Sequence, residues 1–282
     1  MDMNNKTCYT SGRKSSYEEL TLADDFMFCK IMQKERFCKE LLEIILGVEI
    51  EKLVYHDDQK VFRETIDGKG IRLDVYVKDE NHTIYDLEMQ TTNTRELPKR
   101  TRYYHSTIDR GHLMSGEKYN KLNDTYVIFI CTFDLFGKGY GKYTFKTMCE
   151  ENKNIKLQDG RYTIFVNASG IVDDKKLQDF LNYINNGTVG NSKFIQELDR
   201  EVQKNSSNTL WKEEYNMLLA REEMLLEEGV QKGIEKQKQE MYNSFVAMLN
   251  NGIPLYQILN ATNDPDDFKK WLSERDNRST TR

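Results

Sequence analysis

Two carboxylates and an amide carry the chemistry this sequence offers. Asp74 lies in the run IRLDVYV (71–77), and Glu88 and Gln90 lie in TIYDLEMQ (83–90), with the polar DENH (79–82) between them. Both runs alternate as β-strands do, and strand side chains point to opposite faces in turn, so Glu88 and Gln90 share a face. If the two runs pair as a hairpin, Asp74 falls beside them on that face. Two carboxylates and an amide on one rigid surface make an all-oxygen site for a hard divalent cation. Such a site suits metal-assisted hydrolysis of a phosphodiester, a reaction that needs charge stabilisation more than covalent chemistry. The plainer alternative is a pair of solvated carboxylates on an exposed sheet face, paired with Arg72 or Lys99.

The surrounding chain supplies elements to hold such a site. Residues 20–46 read as helical: Thr21 or Asp24 can cap a first turn, Phe26, Phe28, Ile31 and Met32 follow, and Phe37, Leu41, Leu42, Ile44 and Ile45 form a second run ending at Gly47. Residues 48–63 are weakly extended and 67–70 read as a turn. Residues 95–118 are expected as a helix with Tyr103, Tyr104, Ile108, Leu113 and Met114 on its apolar side. The apolar run YVIFIC (126–131) reads as a fully buried strand, and 140–148 and 162–166 as further strands. A helix around LQDFLNYINN is followed by a loop at 185–192 and by a charged helical stretch from Lys193. Short helices are expected at 242–250, 254–259 and 266–271, broken near Gly252, Pro254 and Pro265. This order implies an α/β sheet flanked by helices on both faces. The expected division is a polar tail at 1–19, an α/β domain at 20–185, a charged helical region at 186–241 and a small helical tail at 242–282.

Composition narrows the function classes. The chain has 282 residues, 38% hydrophobic and 31% charged, with a mean hydropathy of −0.74. No apolar run approaches the roughly 20 residues of a membrane span, and the first residues carry no apolar signal core. Five cysteines without a CxxC pair read as reduced thiols in a cytoplasmic protein. The net charge of −5 argues against a general nucleic-acid binder. Residues 94–121, however, hold Arg95, Lys99, Arg100, Arg102, Arg110, Lys118 and Lys121 against only Glu96, Asp109 and Glu117, so polyanion contact is expected at one place. His105, Asp109 and His112 share one helix face in that stretch. One helix rarely supplies a whole zinc site, so a hydrogen-bonded or exposed cluster is the expectation there.

In sequence order, these residues resemble the PD-(D/E)XK nuclease superfamily in its D…ExQ form. Within it the chain is similar to the Rpn family of recombination-promoting nucleases, also called nuclease-family transposases. The matching pieces are Asp25 and Phe28 in LADDFMF, Asp74 in IRLDVYV, Glu88, Met89 and Gln90 in DLEMQ, and Arg100 and Tyr104 in KRTRYY. Gly116 and Tyr119 in GEKY, YVIFICTFDLF (126–136) and LQDFLNYI follow. The resemblance covers about residues 20–185, and the EEGVQKGIEK segment resembles the C-terminal part of many members.

The resemblance implies a restriction-endonuclease-like αβββαβ core followed by a helical C-terminal region. It implies a DNA endonuclease linked to recombination or mobile elements. Asp74 and Glu88 would hold Mg²⁺ or Mn²⁺, helped by the backbone carbonyl near Met89. Gln90 stands where most of the superfamily has lysine; an amide lacks that charge but can still donate a hydrogen bond to water or phosphate. Arg100, Arg102 and Tyr104 would face substrate, with Arg100 either contacting phosphate or ordering the acids as an ion pair. Glu40 and Asp25 are further candidate acids. The expected partners are DNA and a second copy of the chain through the C-terminal helices, with no membrane. The alternative is a nuclease-fold DNA-binding or assembly protein without catalysis.

Overall fold

The computed structural model of the protein describes residues 15–55, 61–62 and 71–279, so the turn expected at 67–70 and most of the polar tail lie outside the described residues. The chain divides into two compact units at Lys212/Glu213.

The first unit opens with helices α1 (Asp25–Met32) and α2 (Glu35–Leu46). Thr21 and Asp24 act together before α1, since the Thr21 N–H donates to the Asp24 carboxylate at 2.7 Å. Gly47 ends α2 in the left-handed region at φ 70°, a conformation that costs glycine nothing.

Among the described residues eight strands follow: β1 (Leu53–Tyr55), β2 (Val61–Phe62), β3 (Ile71–Arg72), β4 (Val75–Asp79), β5 (Ile84–Gln90), β6 (Thr125–Cys131), β7 (Lys142–Phe145) and β8 (Arg161–Asn167). Six of them form a mixed sheet in the order β1-β4-β5-β6-β8-β7, while β2 and β3 pair separately. β4 and β5 are antiparallel neighbours, and β5, β6 and β8 run parallel. Helix α3 (Leu97–Arg110) makes the crossover from β5 to β6, as a parallel connection requires. Its apolar side closes one face of the sheet, where Leu97, Tyr104 and Ile108 meet Val127, Phe129 and Phe165.

Helices α4 (Lys175–Asn186) and α5 (Lys193–Asn205) complete the unit. Phe194, Ile195, Leu198 and Val202 of α5 are buried, and the Tyr17 hydroxyl donates to the Asn205 carbonyl at 2.6 Å. The sheet-bearing unit therefore continues past residue 185.

Two elements of the first unit differ from the periodicity. The run 71–77 is not one strand: it breaks at Leu73–Asp74, so Leu73 and Tyr76 join the same cluster instead of opposite faces. The expected helix 95–118 stops at Arg110, where Gly111 ends it.

The second unit is described by itself. Helix α6 (Thr209–Asn250) carries the chain into it, followed by α7 (Leu255–Ala261) and α8 (Pro265–Ser279). Residues expected as a separate short helix at 242–250 thus belong to the end of α6. Tyr242, Ile258 and Phe268 form a small core, with Phe245, Leu249, Leu259 and Trp271 against it.

Candidate active site

β5 presents three polar side chains on one face. Asp86, Glu88 and Gln90 are two apart in an otherwise apolar strand, so all three point toward α3. Asp86 is 0% exposed and Glu88 3%.

Asp74 reaches the same place through the break between β3 and β4. Its N–H donates to Glu88 Oε1 at 3.1 Å, and its own Oδ2 accepts from the Met89 N–H at 3.3 Å. At the break, each acid's side chain takes a backbone N–H of the facing segment, Glu88 that of Asp74 and Asp74 that of Met89.

Arg100, in the first turns of α3, is the counter-charge. Its guanidinium donates to Gln90 Oε1 at 2.9 Å, to Glu88 Oε2 at 3.2 Å and to the Tyr104 hydroxyl at 2.6 Å. The Tyr104 hydroxyl in turn points to Glu88 Oε2 at 3.5 Å. Arg100 also lies over the Phe129 ring, 5.1 Å from its centroid. Of the two roles open to Arg100, the structure shows the ordering ion pair. Tyr104 is buried behind Arg100 and supports it. Gln90 is held at both ends, since its Nε2 donates to the Thr92 carbonyl at 2.7 Å.

The electrostatics of this cluster are unbalanced. Burial, then Asp86 and Asp74, push the Glu88 carboxyl well above the usual carboxylate range. Burial, then Asp74, do the same to Asp86. No donor reaches either Asp86 oxygen by geometry; the Glu88 carboxyl beside it can share a proton with it, and keeping both charged would be costly. Three neighbouring acids thus share one arginine. A divalent cation beside Asp74 and Glu88 would supply the missing positive charge. Mg²⁺ commonly takes only one or two protein carboxylates and keeps waters or substrate oxygens, so this donor set fits it. Among the described residues, no three His, Cys, Asp or Glu side chains form a fuller ligand cage.

A cleft of about 330 Å³ opens on this cluster, lined by Asp24, Asp25, Asp74, Glu88, Gln90 and Arg100. Asp25 is therefore brought to the site. Glu40 is not: it lies in a separate groove with Arg36, Asp174 and Lys176, and its charged neighbours include Glu197 and Lys176. Arg102 lies two residues beyond Arg100, about 200° around the helix, and lines another groove. The three-residue helix cluster disperses as well. His105 bonds Thr125 and Thr163 at 2.8 and 3.1 Å, while His112 bonds the Tyr76 hydroxyl at 2.8 Å. Asp86 is the residue that sequence reasoning passed over. Its signal was a charge two positions before Glu88 in a strand of apolar neighbours.

The sequence model of a family described as PD-(D/E)XK nuclease family transposase matches residues 22–244. No curated protein and no solved structure matches the chain. The match spans well over half of the sequence, and the chain belongs to that family.

Proposed function

We propose that this PD-(D/E)XK nuclease family transposase is a DNA endonuclease that uses Mg²⁺ or Mn²⁺ held between Asp74 and Glu88. The observation that carries the reading is that both carboxylates are fixed by backbone N–H groups, Glu88 by that of Asp74 and Asp74 by that of Met89, on an acidic cleft. When bound, the cation supplies positive charge to the phosphate and lowers the pKa of a coordinated water.

The chain's own residues do the rest. Asp74 and Glu88 offer oxygens whose positions are fixed by backbone N–H groups, so little order is lost on binding. Arg100 keeps Glu88 aimed, and Tyr104 keeps Arg100 aimed. Gln90 has two amide protons and gives one to the Thr92 carbonyl. The other is left to orient a water or a phosphate oxygen. Contacts of this kind go to the DNA backbone and carry little sequence information, so weakly specific cutting is expected.

The test is nicking of supercoiled plasmid. Cleavage should require Mg²⁺ or Mn²⁺ and should fall at least a hundredfold in a folded Asp74→Ala variant, the order of loss when transition-state charge stabilisation is removed. Cleavage that persists in Asp74→Ala contradicts the reading. One observation favours a second reading, a DNA-binding protein without catalysis: Gln90 stands in the lysine position and is bonded at both ends. That reading predicts DNA binding with no cleavage under any divalent ion.

A further inference from the structure

On the far side of α3 from Arg100 lies a groove of about 230 Å³ between α3 and the edge strand β7, lined among others by Arg102, His105, Phe145, Lys146, Arg161 and Thr163. We propose that it binds one nucleotide of a single DNA strand, with Arg102, Lys146 and Arg161 holding its phosphate and Phe145 stacking on its base. The proposal rests on the nuclease reading for its choice of DNA, and extends that reading to a single-stranded segment of the substrate.

Three observations support it. The first is charge. Arg102 and Lys146 make no ion pair among the described residues, although the Lys146 ammonium lies 4.9 Å from the Tyr162 ring centroid. Arg161 has Asp159 at 3.8 Å, also acts on Asp109, and donates to Thr147 Oγ1 at 3.4 Å. The groove therefore has a cationic surplus within a protein of net charge −5, and a phosphate would meet it.

The second is the aromatic ring. Phe145 is 46% exposed, yet its buried side rests on Phe136 and Phe165, with centroids 5.1 and 5.9 Å away. A ring backed in this way is already ordered, so stacking a base on it costs little further entropy. A cationic groove with an aromatic platform is how proteins hold single strands, because every base has a face to stack. A base inside a duplex has no free face to offer such a ring.

The third is the floor. His105 uses both ring nitrogens on Thr125 and Thr163. Burial, and then Arg161, hold its pKa down to about 4. The floor is neutral and internally satisfied, so the groove's charge comes from its rim. Arg100 and Arg102 lie on opposite sides of a helix about 10–12 Å across.

The test is fluorescence anisotropy of the full chain in EDTA, with labelled oligo-dT, oligo-U of the same length and a DNA duplex. Oligo-dT should bind more tightly than duplex. Phe145→Leu, which keeps an apolar group against Phe136 and Phe165, should weaken oligo-dT binding about tenfold. Arg102→Glu, an exposed change on α3, should also weaken it, and Lys146→Ala should lower the salt slope by about one. Oligo-dT binding unchanged in all three folded variants would overturn the proposal, as would tighter binding of oligo-U through the same residues. Because EDTA removes cleavage, the two readings fail separately. Variant-sensitive binding in a protein that never cuts would sink only the nuclease reading. Variant-insensitive binding in one that cuts through Asp74 would sink only the groove.

Discussion

Asp86 sits among other acids with no donor in reach. Its carboxyl is buried, and it shares a strand face with Glu88. Such a group is retained at a cost of about 1–3 kcal/mol, a cost that makes sense if a cation relieves it. Replacing Asp86 with Asn removes the charge while keeping the shape. Removing the charge ends its repulsion with Asp74 and Glu88, while the Asn amide stays as unpartnered as the carboxyl, so in EDTA the variant should be more stable than the wild type in chemical denaturation. It should also show a smaller Mn²⁺-induced rise in melting temperature than the wild type. An Asp86→Asn variant no more stable than wild type, with the full metal response, would remove Asp86 from the account. Glu88 and Gln90 were legible in the sequence because strand alternation places them without further information. Asp86 obeys the same alternation, but its importance depends on α3 lying over it, and the local pattern does not show that cover.

At the scale of elements, α3 fastens the sheet and positions the site together. Arg100 and Tyr104 on one side fix Glu88, and His105 ties the helix to β6 and β8 through two threonines. His105 then sets a pH dependence of known sign. Its pKa in the folded protein is about 4, below the ordinary 6.5. Between those values the unfolded chain binds the extra proton and the folded protein does not. His105 therefore contributes full stability above pH 6.5 and loses up to about 3 kcal/mol as the pH falls toward 4. Asp86 and Glu88, with raised values, favour the folded state in the opposite direction. The difference between wild type and His105→Gln isolates the histidine: the variant should lose less stability from pH 7 to pH 4.5. Equal losses would contradict this.

The order of helices and strands was readable from periodicity, and so was the buried β6. The break at Asp74 was not. There side chains bond backbone across the break, whereas hydrophobic alternation assumes an unbroken ladder. The early end of α3 is a similar case. Leu113 and Met114 extend the apolar spacing, but Gly111 interrupts the helix before they can use it.

For the whole molecule, the unanswered element is α6. Between Tyr215 and Tyr242 it buries no side chain, and it contains Gly229 and Gly233, each worth about 1 kcal/mol against a helix. Leu210, Met217 and Met224 recur at seven-residue spacing, as do Ile234, Met241 and Met248, and all six are exposed. In one heptad frame the first series takes the a position early in the helix and the second takes d late in it, leaving an exposed apolar edge that changes position along α6. We propose a second copy of the chain as the partner for this edge. Light scattering should give a mass above the 33.3 kDa of one chain, returning to it in a Met224→Glu, Ile234→Glu double variant. A wild-type mass of one chain would end the idea. Among the described residues no helix is long and apolar enough to cross a membrane, so the exposed apolar positions of α6 do not mark a span.

The central claim is that Asp74 and Glu88 together hold a divalent cation. Diffraction from crystals soaked in Mn²⁺, collected where manganese scatters anomalously, tests it most directly. One strong anomalous peak is expected about 2.0–2.3 Å from oxygens of both carboxylates. Data showing both side chains ordered with no peak between them, or manganese bound only elsewhere, would contradict it.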